Sequence, residues 1–243
     1  MKCYIGTSGY VYWHWKERFY PKELSSYRWF DYYAKHFNTV EINMSFYRWP
    51  KESTIRAWKN KARKLEKEGR EFLFTLKVNR QITHIKKIVG VKKLVADFYK
   101  LASLLQPYLG CILFQLPPSL KFDKKKLTNF LNALDDKFNN VIEFRHASWW
   151  NKETYKLLRN KATFCIVSSP NLPEDFIKTN DIVYIRFHGK QRWYGSNYGD
   201  KELKDWAEKI KKSKAKIIYA YFNNDFNAYA VFNALKLKKF LKC

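Results

Sequence analysis

Glycine and proline are scarce in this chain. Eight glycines and seven prolines among 243 residues exclude a collagen-like repeat and a low-complexity linker protein. Acidic residues are also few, with 22 Asp and Glu against 47 Lys and Arg, a formal charge of +25. No apolar run approaches the roughly 20 residues of a membrane helix, so no membrane partner is expected. The opening residues reach the turn Gly6-Thr7-Ser8-Gly9 too soon for a signal-peptide core, and a cytoplasmic protein is expected. The four cysteines, Cys3, Cys111, Cys165 and Cys243, lie far apart with no Cys-x-x-Cys pair. That spacing argues against a structural zinc site or a disulfide scaffold, and leaves buried free thiols as the expectation.

What is present is apolar and aromatic matter: 46% hydrophobic residues and 19% Phe, Trp and Tyr. A disordered polycation would have little of either. The charge is spread evenly, with 22 basic and 9 acidic residues in 1–120 and 25 and 13 in 121–243, so no basic tail stands apart from the rest. Two readings of that charge follow. One is contact with nucleic acid or a phosphate-bearing small molecule; the other is a lysine-rich solvated surface.

Short apolar runs recur at 3–5, 39–43, 72–78, 111–116, 141–145, 163–167, 182–188 and 217–222. Near-continuous apolar runs of this length suit parallel strands buried on both faces. Amphipathic stretches lie between them. Val91, Leu94, Val95, Phe98, Leu101, Ala102 and Leu105 follow helical spacing, as do Leu127, Phe130, Leu131, Leu134 and Phe138, and Leu203, Trp206, Ala207 and Ile210. Asp123 and Asp200 are the expected helix caps of the last two. Residues 24–37, 51–68, 151–160 and 226–240 complete the set, and only the connection at about 168–180 lacks a long helix. Eight strands alternating with helices in this length predict an α/β protein, a single (β/α)8 TIM-type barrel over residues 1–243. A doubly wound open sheet is the alternative, but no GxGxxG follows the first strand and no P-loop occurs.

In that fold, function sits at the C-terminal ends of the strands. Those ends carry Thr7 and Ser8; Glu41, Asn43 and Tyr47; Lys77, Asn79, Arg80 and then His84; Gln115; Glu143, Arg145 and His146; Ser168 and Ser169; Arg186 and His188; and Asn223, Asn224 and Asp225. Period-two alternation puts Glu143 with Arg145, and Arg186 with His188, on one strand face, leaving Ile185 and Phe187 for the helix layer. Charges inside strands are costly unless they pair or hold a ligand. The bland expectation is therefore a set of internal salt bridges, such as Glu143 with Arg145 or Arg186. Trp13, Trp15, Trp49, Trp149, Trp150 and Trp193 fall in strand-to-helix loops, either packing those loops or stacking on bases or sugars.

These strand-end motifs resemble those of the domain of unknown function 72 family, also called YecE-like. The resemblance is carried by Gly6-Thr7-Ser8-Gly9-Tyr10, Phe19-Tyr20-Pro21, Val40-Glu41-Ile42-Asn43 through Phe46-Tyr47-Arg48, Thr83-His84, Phe114-Gln115-Leu116-Pro117-Pro118, Glu143-Phe144-Arg145-His146, Arg186-Phe187-His188-Gly189 and Tyr221-Phe222-Asn223-Asn224-Asp225 with Asn233-Ala234. Met44 departs from it, since a small polar residue more often precedes the Phe-Tyr pair. The resemblance implies a TIM-type barrel and no particular activity.

The residues themselves point to an enzyme acting on a phosphate-bearing substrate, nucleic acid included, in the manner of a phosphoesterase. Lys77, Arg145 and Arg186 would bind phosphate oxygens. Glu41 or Glu143 would be the general base and His188 a general acid or base, with Asp225 the remaining catalytic candidate. Thr7, Ser8, Asn43, Tyr47, Gln115, Asn223 and Asn224 would orient substrate. A divalent-metal version would recruit Glu41, Glu143, His188 and Asp225, but no HxH or HExxH spacing supports it, so no cofactor or metal is predicted. Two alternatives stand beside this: a non-catalytic nucleic-acid or anion-binding barrel, and a sugar or sugar-phosphate isomerase or lyase.

Overall fold

The computed structural model describes residues 1–243. Its strands are β1 (Lys2–Thr7), β2 (Thr39–Ile42), β3 (Leu73–Lys77), β4 (Leu109–Gln115), β5 (Asn140–Glu143), β6 (Thr163–Ser168), β7 (Ile182–Phe187) and β8 (Ile217–Phe222). Its helices are α1 (Trp29–His36), α2 (Met44–Tyr47), α3 (Glu52–Lys67), α4 (Lys92–Ser103), α5 (Lys124–Leu131), α6 (Lys152–Leu158), α7 (Asp200–Lys212) and α8 (Tyr229–Leu241). The strands are ordered β1-β8-β7-β6-β5-β4-β3-β2 and pair in parallel. This is the α/β (β/α)8 TIM-type fold, as the alternation of apolar runs and amphipathic stretches predicts. No helix is long and apolar enough to cross a membrane.

Residue contacts gather the chain into two compact units. The first comprises Met1–Glu41, Ile166–Phe176 and Asp181–Cys243. In it β8 lies between β1 and β7, in register from Lys2↔Ile217 to Thr7↔Phe222 and from Ile182↔Ile217 to Phe187↔Phe222. Phe187 meets Trp206 of α7 edge-on at 5.1 Å and stacks on Phe222 at 4.2 Å. Phe187 therefore does face a helix, and burying a ring of this size stabilises the fold by about 1.5–3 kcal/mol.

Two expectations are corrected in this unit. The cap of α7 is Gly199, not Asp200, which is the first helical residue. Glu202 reaches back to accept from the Gly199 N–H at 2.8 Å, satisfying a donor that helix geometry leaves open. Cys3 and Cys243 are joined in a disulfide rather than free, with their Cα atoms 6.0 Å apart. The cause is tertiary: α8 packs against β1, and this brings together residues 240 positions apart. Cys111 and Cys165 are buried and take part in no disulfide.

The second unit comprises Ile42–Cys165 and Ile177–Asn180. Here β4 pairs with β3 and β5, and β5 with the start of β6. Asp123 caps α5, accepting from the Lys126 N–H at 2.9 Å. That helix stops at Leu131, so Leu134 and Phe138 lie outside it; Phe138 instead stacks on Tyr99 of α4 at 4.5 Å. The connection after β6 has no helix. Within this unit Thr179 pins part of it, accepting from the Phe164 N–H at 3.0 Å and donating to the Ala162 carbonyl at 2.8 Å.

Candidate functional site

In the first unit, the alternating positions Tyr184, Arg186 and His188 lead from β7 into a polar network. Arg186 and Glu41 are almost wholly buried, at 1% and 0% exposure, and pair at 2.6 Å through Nη2 and Oε1. Ser8 Oγ donates to the same carboxylate oxygen and accepts from Arg186 Nη2 at 3.0 Å. Tyr184 Oη donates to the other oxygen, Oε2, at 2.5 Å. A carboxylate taken out of water is stable only when its lone pairs are met this fully. Ser8 is held there because β1 and β2 meet in a single bridge between Ser8 and Glu41.

His188 is fully buried next to this network. Its Nε2 lies 3.5 Å from Arg186 Nη1 and its Nδ1 3.2 Å from Asn223 Nδ2. Trp193 and Tyr194 cover the ring at centroid distances of 5.4 and 5.9 Å. Asp225 sits beyond the end of β8, 3.3 Å from His14 Nε2. Burial raises the Asp225 carboxyl above the usual carboxylate range, against the opposing pull of His14.

Thr7 and Asn224 serve the framework. Thr7 Oγ1 is 2.6 Å from the Gly9 carbonyl and 2.9 Å from Tyr33 Oη. Asn224 Nδ2 donates at 2.8 Å both to the Ser196 carbonyl and to Asn233 Oδ1 of α8.

In the second unit, a cluster forms at the ends of β3, β4 and β5. Lys77 Nζ donates to Gln115 Oε1 at 2.7 Å and lies 3.9 Å from the centroid of Phe46, a cation–π contact. Gln115 Nε2 donates to the Leu116 carbonyl at 3.0 Å and is 3.5 Å from His84 Nε2. Arg145 Nε donates to Glu143 Oε1 at 2.5 Å. His84 is carried by a single π-type turn, Gln81–Ile85, directly after β3. Burial, and then the charges of Lys77, Arg80 and Arg145, hold its pKa down at about 4, with Glu143 pulling the other way. Asn43 stands at the head of α2, its carbonyl accepting from the Phe46 N–H at 3.0 Å. Tyr47 points outward, 70% exposed, with its ring edge-on to Phe46.

The pairings Glu41–Arg186 and Glu143–Arg145 are the internal salt bridges that charged strand positions require. Two contributors went unnoticed in the sequence. Tyr184 reads as one more aromatic in an apolar run, although its period-two phase with Arg186 and His188 is a usable signal. Phe46 enters the sequence reading only within the Phe46-Tyr47-Arg48 motif, and its face holds the Lys77 ammonium. Nowhere do three His, Cys, Asp or Glu side chains gather closely enough to hold a metal ion.

Fold and geometry together define a class: a TIM-type barrel protein with buried, ion-paired polar groups at its strand ends. Residues 4–243 match the family described as protein of unknown function DUF72, and the chain belongs to that family. Its relatives include the UPF0759 protein YunF of Bacillus subtilis, 27% identical over 98% of this chain and 94% of the relative. The UPF0759 protein YecE of Escherichia coli is 31% identical over 49% of this chain and 42% of the relative. Among solved structures, a DUF72 family protein from Thermotoga maritima superposes with a TM-score of 0.87 at 30% identity, covering all of both chains. One from Enterococcus faecalis gives 0.83 at 21% identity over 99% of this chain and 96% of the other, a likeness of fold alone.

Proposed function

We propose that this protein is an enzyme acting on a phosphate-bearing substrate, with nucleic acid among the candidates. The observation that carries the reading is the second unit's cluster, where Lys77, Arg80 and Arg145 act together on His84 against the single carboxylate of Glu143. A field of that sign favours an anion, and the strand ends of this fold are where such ligands bind. Lys77 and Arg145 would hold phosphate oxygens, Gln115 would orient them, and Glu143 would take the proton from an attacking water.

In the first unit, the roles divide by environment. Glu41, fixed by Ser8, Tyr184 and Arg186, is suited to positioning. His188, between Arg186 and Asn223, and Asp225, with its raised carboxyl pKa, are the groups suited to proton transfer. A cytoplasmic setting belongs to the same proposal. Cys111 and Cys165 remain thiols, and an intracellular Cys3–Cys243 bond is a habit of hyperthermophile proteins. Cell fractionation followed by detection of the protein tests this, and recovery outside the cytoplasmic fraction is the contrary result.

The test of function is a turnover screen of phosphomonoesters, aldoses and oligonucleotides. Glu143→Gln is expected to abolish phosphoester hydrolysis while circular dichroism shows a folded protein. Unchanged turnover removes Glu143 from the mechanism, and activity on aldoses alone moves the reading to an isomerase. One observation favours a second reading, that of a non-catalytic anion-binding barrel: both strand-end carboxylates, Glu41 and Glu143, meet an arginine. Phosphate or oligonucleotide binding that falls steeply with salt, with no turnover of any substrate, selects it.

A further inference from the structure

A groove of about 360 Å³ opens in the first unit, lined by the loops after β7 and β8 and by the loop after β1. It has three properties that belong together. Its walls present aromatic faces to solvent: Tyr194 is 45% exposed and Phe226 53%. Its cations are arginines, Arg18 and Arg192, both with exposed side chains, and the Arg192 guanidinium lies 6.0 Å from the Phe226 ring centroid. The paired His14 and Asp225 line it as well. Its volume is within the range of small-molecule sites.

The groove is also built rather than incidental. Tyr194 and Asn227, which line it, and Ala228, which follows, are non-glycine residues in the left-handed region, with φ of 63°, 53° and 61°. Such backbone costs free energy and persists where the surroundings impose it. The loops are tied to each other: the Phe226 N–H donates to the Tyr194 carbonyl at 3.3 Å, and His14 Nε2 reaches the Asp225 carbonyl at 2.9 Å. A pre-ordered wall loses little entropy when a ligand arrives.

We propose that this groove is a nucleotide-binding site, separate from the cluster of Lys77, Gln115 and Arg145. A planar base would lie against Phe226 and Tyr194, since stacking on exposed rings is open to every base. The phosphate would be met by Arg18 and Arg192, whose planar forks match phosphate oxygens. The Asp225 carboxylate is left to accept from an exocyclic amine of the base. The site needs both halves of the ligand, so a sugar phosphate without a base or a nucleoside without phosphate should bind poorly.

Isothermal titration of the purified full chain with AMP, ribose 5-phosphate and adenosine tests this, with melting curves confirming that each variant is folded. AMP is expected to bind saturably and at least about ten-fold more tightly than either fragment. Phe226→Ala is expected to weaken AMP about ten-fold or more. Arg192→Gln and Arg18→Gln should do likewise, and Lys212→Met, on the exposed side of α7, should leave the affinity unchanged. Three outcomes overturn the proposal: no saturable AMP binding; equal affinity for AMP and ribose 5-phosphate; or AMP binding indifferent to Phe226→Ala and Arg192→Gln. AMP binding lost in Lys77→Met but kept in Phe226→Ala and Arg192→Gln would leave the phosphate reading of the strand-end cluster standing while removing the groove. Turnover without AMP binding in the groove would do the same.

Discussion

Reducing the Cys3–Cys243 bond is expected to lower stability by several kcal/mol. The bond joins residues 240 positions apart, so nearly the whole unfolded chain is held in one loop. The chain-entropy relation gives about 5.5 kcal/mol at 25 °C for a loop of that length, an upper value because any native-state cost subtracts from it. For a chain of this size, each kcal/mol moves the melting temperature by roughly 2–4 °C, so reduction should lower it by about 10–20 °C. The assay is a thermal melt followed by circular dichroism with and without a phosphine reductant, beside a thiol count in denaturant. The count should rise on reduction from the two thiols of Cys111 and Cys165 to all four. The variant Cys3→Ser with Cys243→Ser should melt like the reduced protein and ignore reductant. Four thiols before reduction would show that the bond is absent. A shift below about 3 °C once the bond is broken would refute the entropic reasoning.

Further outcomes follow from other sites. His84 has a folded-state pKa of about 4, below the ordinary 6.5, so the unfolded chain takes up a proton first as pH falls. Its contribution is present above pH 6.5 and is lost between there and about 4; for a half-buried ring, screening reduces it to on the order of 1 kcal/mol. Urea titrations at pH 7.5 and 4.5 should show wild type losing that much more than His84→Gln, and an unchanged gap between the two refutes it. Gly189→Ala and Gly69→Ala should separate clash from backbone strain. Both positions have positive φ, 96° and 74°, but a Cβ at Gly189 would lie 2.5 Å from the Arg192 carbonyl oxygen, whereas at Gly69 nothing lies within 4 Å. Losses of about 2 kcal/mol or more against about 1 kcal/mol are expected, and equal losses in urea would contradict this account.

Strands and their order of appearance were legible because β4, β6 and the other barrel strands are buried nearly end to end, which writes them as unbroken apolar runs. The helix-free stretch after β6 was legible for the converse reason, a lack of apolar periodicity. The strand-end polar residues could be named from alternation alone. Which of them meet could not: Glu41 and Arg186 are 145 positions apart, and the register of β1, β7 and β8 together with the Ser8–Glu41 bridge brings them together. The same holds for Cys3 and Cys243. The groove was invisible for a different reason. His14, Arg18, Arg192 and Phe226 come from loops without periodicity, where residue type says little until the backbone turns are known. Capping was only half readable, since Asp123 caps its helix by its own side chain but Gly199 is served by a carboxylate three residues later.

The link between the first strand and the last residue makes the chain from Cys3 to Cys243 a covalent ring. A single proteolytic cut in such a ring releases nothing. It yields two polypeptides held together by the disulfide, with two new chain ends at the cut. With 47 lysines and arginines the chain offers many tryptic sites, yet a first nick at an open turn such as Gly69 or Gly90 would leave both pieces tethered. Under non-reducing conditions it would change the electrophoretic mobility without changing the mass by more than one water.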